Sequence, residues 1–387
     1  MHVLFLPSFY PTAERPTSGV FFREQARALQ YVGVQVGVAY PETRSLRTIG
    51  PRALRDSHFQ VVWEDDGGIR TVRRRGWNTL MQTSIGAGFW IRQMVALCRH
   101  YTRMHGAPDV LHAHNALWAG AAAIAVSHEG GAPFVITEHS SAIHDRAVTP
   151  HERAVAARVY SAAKRVVCVS EALARQVAQF GMAVRAQVIP NVVDTEFFVP
   201  PAVPRSTEQF VFVAIGNLTP NKSFDSIIRA FACRFGGAAD VRLVIGGDGP
   251  MRSELQGLAE GLGVGPHVQY LGPLSRAGVR LAMWTANCFV LASRSETFGV
   301  VLIEALSTGI PVISTRSGGP EDIVQSGIGA LVEPGDESAL GEAMVAARRS
   351  PINDPSTLRA YATSRFGLSA VGAQLAALYD QLLRGAS

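Results

Sequence analysis

Short runs of β-branched and apolar residues recur along the chain, separated by stretches in which apolar residues return every three or four positions. That alternation predicts parallel strands joined by helices, the pattern of α/β domains. In the first half, strands are expected near His2–Leu6, Val34–Tyr40, Val110–His112, Phe134–Thr137, Val166–Val169 and Ala186–Ile189. A second series is expected near Phe210–Ile215, Val241–Ile245, Val268–Tyr270, Cys288–Leu291 and Val312–Ser314, ending in helical segments through Leu383. Between the two series lies VPPAVPRSTEQ, residues 199–209, whose prolines mark a linker. The expected organisation is therefore α/β with two doubly wound domains, residues 1–198 and 210–387, facing a cleft. One segment breaks the rhythm. From Glu42 to Thr83 the chain is too long for a simple connection, and VVWEDDGGIRTVRR reads there as strand, turn and strand. Asp65-Asp66 superficially resembles an acidic metal motif, but the following Gly67-Gly68 favours a turn.

A chain of 387 residues with 47% hydrophobic side chains can bury two cores and is not a disordered protein. No apolar run reaches the ~20 residues of a membrane helix, and HVLFLP lacks the length and basic prefix of a signal peptide. A cytoplasmic protein is expected. Cys98, Cys168, Cys233 and Cys288 lie far apart in apolar surroundings, which suits buried reduced thiols better than disulfides or zinc. Charge is uneven: residues 1–200 carry 21 basic and 15 acidic side chains, residues 201–387 carry 15 and 16. Arg70 and Arg73–Arg75 beside Trp77, with Arg44, Arg47, Arg52 and Arg55 upstream, form a cluster that attracts phosphates. It suggests peripheral docking on the anionic inner face of a membrane or an acidic acceptor, and a solvated basic face competes with both. Nothing resembles a nucleic-acid-binding motif, so no nucleic-acid partner is expected.

The most informative run is SRSETFGVVLIEALSTGIPVISTRSGGPEDIV, residues 293–324. Glu296 precedes a helix and Glu304 falls inside it, while Phe298-Gly299 places a small residue at the helix entrance. A helix start offers unpaired N–H groups and the positive end of its dipole, so a diphosphate could sit over Gly299 and Val300 with a carboxylate on either side. At about 1.5 Å per residue the two carboxylates would stand roughly 12 Å apart, the sugar-to-ribose span of a nucleotide sugar. Each glutamate alone would read as a helix cap or a solvated charge. The ordered run as a whole, with Gly309-Ile310-Pro311-Val312 and Ser317-Gly318-Gly319 following, resembles the donor-site signature of the large retaining GT-B glycosyltransferase family often called family 4.

That resemblance implies two Rossmann-like domains, the first on the acceptor side and the second binding the nucleotide sugar, with the last helix crossing back to the first. It also assigns roles. Only two lysines occur, Lys164 and Lys222, and Lys222 follows a strand at a helix start, where it would neutralise the leaving diphosphate. The family usually has an arginine at Asn217 and a glycine at Ser223, so half of a two-cation clamp is missing. Glu296 would bind sugar hydroxyls and Glu304 the ribose. His139, in Thr137-Glu138-His139-Ser140-Ser141 after a strand end, matches the active-site histidine, and Glu138 beside it could tune its charge. Gly19 matches the glycine whose backbone approaches the diphosphate, Gly247 the loop beside the nucleotide, and Leu274 the loop holding the base. Asp248 is expected to cap a helix. His112 and His114 alternate along a strand end, and with no third ligand apparent they are expected to line the acceptor cleft rather than bind metal.

The expected reaction is transfer of a hexosyl group from a nucleoside diphosphate sugar to a hydroxyl of a saccharide or lipid-linked saccharide, with retained configuration. No Asp or Glu matches a covalent nucleophile, which favours departure and attack on one face of the sugar. Neither a cofactor nor a divalent ion is expected, because amides and Lys222 would do the electrostatic work. Two rivals keep the fold: a nucleotide-sugar epimerase or phosphorylase, and a weakly catalytic binding subunit of a polysaccharide assembly complex.

Overall fold

The computed structural model describes residues 1–44, 50–51, 60–78, 80, 83–145, 147–180, 186–203, 205, 208–350 and 354–385. The chain forms two compact units, one of Met1–Val169, Leu173–Pro190 and Val371–Ser387, the other of Ser170–Ala172 and Asn191–Ala370. The main change of unit thus falls between Pro190 and Asn191, and the Pro-rich stretch 199–209 lies inside the second unit.

The first unit holds strands β1 (His2–Pro7), β2 (Gln35–Arg44), β3 (Val61–Asp66), β4 (Ile69–Trp77), β5 (Val110–His114), β6 (Phe134–Glu138), β7 (Arg165–Cys168) and β8 (Gln187–Val188). They form one sheet in the order β3-β4-β2-β1-β5-β6-β7-β8. Every pairing is parallel except β3 with β4, the expected hairpin. Its turn is Gly67-Gly68, both at positive φ, as a two-residue hairpin turn requires. Val3, Leu4, Phe5 and Leu6 of β1 and all of β5 and β6 are buried, because helices cover both faces of a parallel sheet. In the last helix, Leu368–Arg384, the residues from Val371 onward belong to this first unit, and Tyr379 is fully buried in it. The expected return of the chain's end to the first domain is observed.

The second unit holds β9 (Phe210–Ile215), β10 (Val241–Gly246), β11 (Val268–Gly272), β12 (Cys288–Leu291), β13 (Val312–Thr315) and β14 (Gly329–Val332), ordered β11-β10-β9-β12-β13-β14 and parallel throughout. β14 was not among the expected strands. Its four residues, GALV, carry too little apolar weight to stand out, and they extend the sheet by pairing with β13. Strand order reverses at β1/β5 in the first unit and at β9/β12 in the second. In such sheets ligands bind beyond the carboxyl ends of the strands at the reversal.

Two expectations need correction. Cys98, Cys168 and Cys288 are buried, but Cys233 is exposed, on the outer side of helix Phe224–Phe235. Arg73 does not present a charge to the surroundings: it is 4% exposed, its Nε donates to Glu64 at 2.7 Å, and its Nη1 lies 3.6 Å from Glu42. Arg75 is bound to Glu64 as well and Trp77 is buried, so Arg73 and Arg75 form a charge network with Glu42 and Glu64, Arg73 lying against Tyr10 and Tyr40, while Arg70 stays exposed. Arg44 lies 3.6 Å from Glu42, while Arg47, Arg52 and Arg55 fall outside the described residues. Among the described residues no helix is long and apolar enough to cross a membrane.

Candidate active site

In the second unit, three strand-end loops meet at the β9/β12 reversal. The loop after β9 carries Asn217, Asn221 and Lys222; the loop after β12 carries Ser293–Gly299; the loop after β13 carries Ser317–Gly319. Backbone bonds join them: Arg294 N donates to Asn221 O at 2.8 Å, Glu296 N to Ser317 O at 2.9 Å, and Gly319 N to Glu296 O at 2.8 Å. The Asn221 side chain completes the join, donating to Ser295 O at 2.9 Å and accepting from Ser295 N at 3.1 Å. The double glycine of the sequence signature has a steric cause here. A Cβ on Gly319 would lie 2.2 Å from Phe298 Cα, so only glycine lets the two loops close on each other.

Lys222 Nζ is bonded to Glu296 Oε2, with the two side chains 25% and 14% exposed, and Ser293 Oγ donates to the same carboxylate oxygen at 3.4 Å. The two residues expected to hold the diphosphate and the sugar are thus brought into one ion pair. Behind them, Gly299 at φ 93° begins the helix Val300–Ser307, which has no side-chain cap and no acidic residue in its first turn. Its leading amides are the anion-binding kind of helix start. Phe298 contributes only backbone, because its ring is buried and packs edge-on against Phe366 at 6.0 Å. Glu304 sits one turn into the helix and is half-buried. Asn217 is exposed at the start of the loop after β9. Gly247 adopts φ 126° just beyond β10, donating to Gly272 O at 2.7 Å, and Leu274 packs against Gly246. Asp248 is no helix cap: the residue before helix Arg252–Gly261 is Met251, and Asp248 instead accepts from Gly249 N at 3.0 Å and faces Arg252 at 3.6 Å.

The first unit offers a different chemistry at its own strand reversal. Gly19, at φ 74°, precedes helix Val20–Tyr31, and Ser8 Oγ donates to His114 O at 2.9 Å and Leu117 O at 3.1 Å, tying the loops after β1 and β5. His139 follows β6 and is 7% exposed, between Phe21 and Phe22, each 4.9 Å away by ring centroid. One of its ring nitrogens lies 3.4 Å from His114 Nδ1. His114 in turn stacks on His112 at 4.3 Å, and His112 bridges Thr137 Oγ1 at 2.7 Å and Tyr379 Oη at 2.6 Å. His112 and His114 do share one side of the strand, as their alternation suggested. Both are fully buried, however, and neither lines an open cleft. Burial lowers His112 to about 3 and puts His114 well below the ordinary imidazole range, so both are neutral.

Glu138 is engaged with the backbone around His139. Its carboxylate accepts from Ala116 N at 2.9 Å, His139 N at 3.1 Å, Ser140 N at 2.9 Å and Tyr160 Oη at 2.8 Å. Burial pushes its pKa up, while the four donors oppose that by occupying the lone pairs of the ionised form. Its work is to hold the loop backbone on which His139 stands. Asn115 Oδ1 adds a second acceptor for His139 N at 3.1 Å, from a residue at φ 73°. Asn115 and Arg294 were not singled out from sequence, and Ser223 was noted there only as a departure from the family's glycine. The only signal for the first was Asn itself, a residue that tolerates left-handed backbone. Among the described residues no cluster of three metal-ligating side chains occurs.

These features agree with what the chain resembles. The model of Glycosyltransferase Family 4 matches residues 18–197 and that of Glycosyl transferases group 1 matches residues 198–365. D-inositol 3-phosphate glycosyltransferase 1 of Catenulispora acidiphila is 31% identical over 318 residues, 73% of this chain and 74% of that protein. A phosphatidylinositol N-acetylglucosaminyltransferase component of Arabidopsis thaliana is 29% identical over 199 residues, 51% of this chain, which spans only 44% of the plant protein. Among solved structures, Anabaena Alr3699/HepE in complex with UDP superposes with a TM-score of 0.76 at 19% identity, over 98% of this chain and 100% of that one. The chain is a glycosyltransferase of the GT-B fold and belongs to the group 1, or family 4, glycosyltransferases.

Proposed function

We propose that this protein transfers a hexosyl group from a nucleoside diphosphate sugar to a hydroxyl of a saccharide or lipid-linked saccharide, with retention of anomeric configuration. The observation that carries the proposal is the Lys222–Glu296 pair set beside an uncapped helix start at the β9/β12 reversal. A cation and free amides suit a diphosphate, and a partly exposed carboxylate suits sugar hydroxyls. In this reading the C1–O bond to the diphosphate breaks, its electron pair going to the phosphate oxygen. The acceptor oxygen then bonds to C1 on the same face and its proton passes to the departing phosphate. Lys222 and the amides of Gly299 and Val300 stabilise the charge that develops there. Glu304, inside the same helix, is the proposed ribose ligand. The solved neighbour's complex with UDP supports a nucleotide donor, and curated relatives named for inositol and phosphatidylinositol acceptors support a polyol or lipid-linked acceptor.

The test is a panel of UDP-, GDP- and ADP-sugars scored by thermal stabilisation, since ligand at about 100 times its dissociation constant stabilises by roughly 2.7 kcal/mol. The stabilising donor is then incubated with polyol and saccharide acceptors in EDTA. An α-linked product from an α-linked donor supports the proposal. Turnover that requires added metal, an inverted product, or epimerised donor without acceptor overturns it.

A further inference from the structure

The diphosphate site proposed above has an electrostatic shortfall that the structure itself answers. Lys222 is already paired with Glu296, so those two residues together bring no net charge to a dianionic ligand. Asn217, at the start of the same loop, is neutral. The next residue after Lys222 is Ser223, and its backbone is unusual: φ 46° and ψ 46° place a non-glycine residue in the left-handed region, which disfavours a side chain. The serine gives no capping bond to the helix Phe224–Phe235 that it precedes. What its hydroxyl does is donate to Pro220 O at 3.4 Å and accept from Arg294 Nε at 3.2 Å. Arg294 is exposed, and its backbone is fixed to the Lys222 loop through Asn221 O at 2.8 Å. Among the described residues it makes no ion pair with a carboxylate.

Resting on that donor reading, we propose that Arg294 is the second cation of the diphosphate site, anchored beside Lys222 by the Ser223 hydroxyl. The anchor engages Nε and leaves the two Nη groups of a planar fork for phosphate oxygens, the geometry in which arginine binds phosphate with two parallel bonds. Lys222, Arg294 and Glu296 then sum to one positive charge beside the diphosphate. The left-handed serine is explained as well: a glycine would relax the backbone but leave the guanidinium without its tether.

The experiment is isothermal titration of the intact protein with UDP, GDP, ADP, CDP and dTDP, and with the matching monophosphates, for wild type and for Arg294→Ala, Arg294→Lys, Ser223→Gly and Lys222→Ala. Arg294→Ala should weaken the diphosphate that binds wild type by about tenfold and its monophosphate by about threefold or less, with Arg294→Lys intermediate. Ser223→Gly keeps the arginine and should unfold at a higher temperature than wild type, yet bind the diphosphate about threefold more weakly. That combination cannot come from misfolding. Diphosphate affinity within twofold of wild type in Arg294→Ala, with Lys222→Ala impaired, overturns the Arg294 assignment and leaves the donor reading standing. No binding of any diphosphate to wild type overturns the donor reading and the assignment together.

Discussion

The Lys222–Glu296 pair allows two accounts of the lysine, and a pair of substitutions separates them. In one, Lys222 only neutralises Glu296 and keeps it placed; in the other it also meets the charge that grows on the leaving diphosphate. The two side chains are 25% and 14% exposed, between surface pairs worth about 0–1 kcal/mol and buried ones whose breakage costs about 3–5. Loss of the pair should therefore cost about 1 kcal/mol of stability, a shift of roughly 2–4 °C for a domain of this size. Loss of a cation from a developing oxyanion costs about 2.7–4 kcal/mol, or 10²–10³-fold in kcat. Lys222→Met is expected to show the small thermal shift with the large kinetic loss, measured as nucleoside diphosphate released at saturating donor. Glu296→Gln removes the negative charge and keeps an acceptor oxygen. The double variant is expected to be at least as slow as Lys222→Met. If it instead turns over at least about tenfold faster than Lys222→Met, neutralising the carboxylate repairs the loss of the lysine, and its role at the diphosphate is refuted.

Three further outcomes follow from the same structure. Glu304→Ala should weaken free nucleoside diphosphate by about tenfold or more, because a ribose-bound carboxylate acts in ground and transition states alike; unchanged affinity by titration calorimetry removes it from that role. Arg73→Ser should destabilise the first unit by about 1–3 kcal/mol, seen as an earlier urea transition, since it removes the most buried cation from Glu42 and Glu64 while Arg75 still reaches both carboxylates; a neutral effect would mean Arg75 alone suffices. His112 stays neutral in the fold down to about pH 3, whereas in the unfolded chain it titrates near 6.5. The unfolded state binds the extra proton between those values, so stability should fall as pH drops through that window, by about 1.4 kcal/mol per unit for this group, and His112→Asn should flatten the slope.

Much of this was legible in the sequence because it rests on local rules. Strands such as Val3–Leu6 and Phe134–Ile136 announce themselves by unbroken apolar runs, and Gly67-Gly68 announces its hairpin by the backbone it alone adopts easily. The run 293–324 was legible for a similar reason: Gly319 must be glycine where Phe298 passes at van der Waals distance, so the packing of two loops is written as a residue type. What stayed hidden depends on partners distant in the chain. Nothing near Arg73 says that Glu42 and Glu64 will bury it, and nothing near His112 says that Tyr379, 267 positions away, will close over it. An arginine run looks the same in sequence whether it faces solvent or a pair of glutamates. Ser223 and Arg294 were hidden in the same way, because a serine hydroxyl reveals its use only when the residue it holds is seen.

The two strand reversals carry opposite electrostatic designs, and this bears on how a transfer reaction could use them. At β9/β12 the groups are permanent charges and uncapped amides, suited to a ligand that arrives charged and leaves with more charge. At β1/β5 His112 and His114 are made neutral by burial and packed against Phe5 and Phe22, with the buried Glu138 carboxylate spent on four hydrogen bonds. A full charge placed there would meet a low dielectric. Neutral, rigid hydrogen-bonding groups suit sugar hydroxyls, whose polarity changes little during transfer. His112 and His114, held neutral by burial, are poor homes for a released proton. A variant that restores solvent to the stack, such as Phe22→Ala, should raise the His114 pKa toward its ordinary value, visible in the pH dependence of its ring proton shifts. If it does so without lowering kcat, the neutrality of the stack is a by-product of burial and has no part in the reaction.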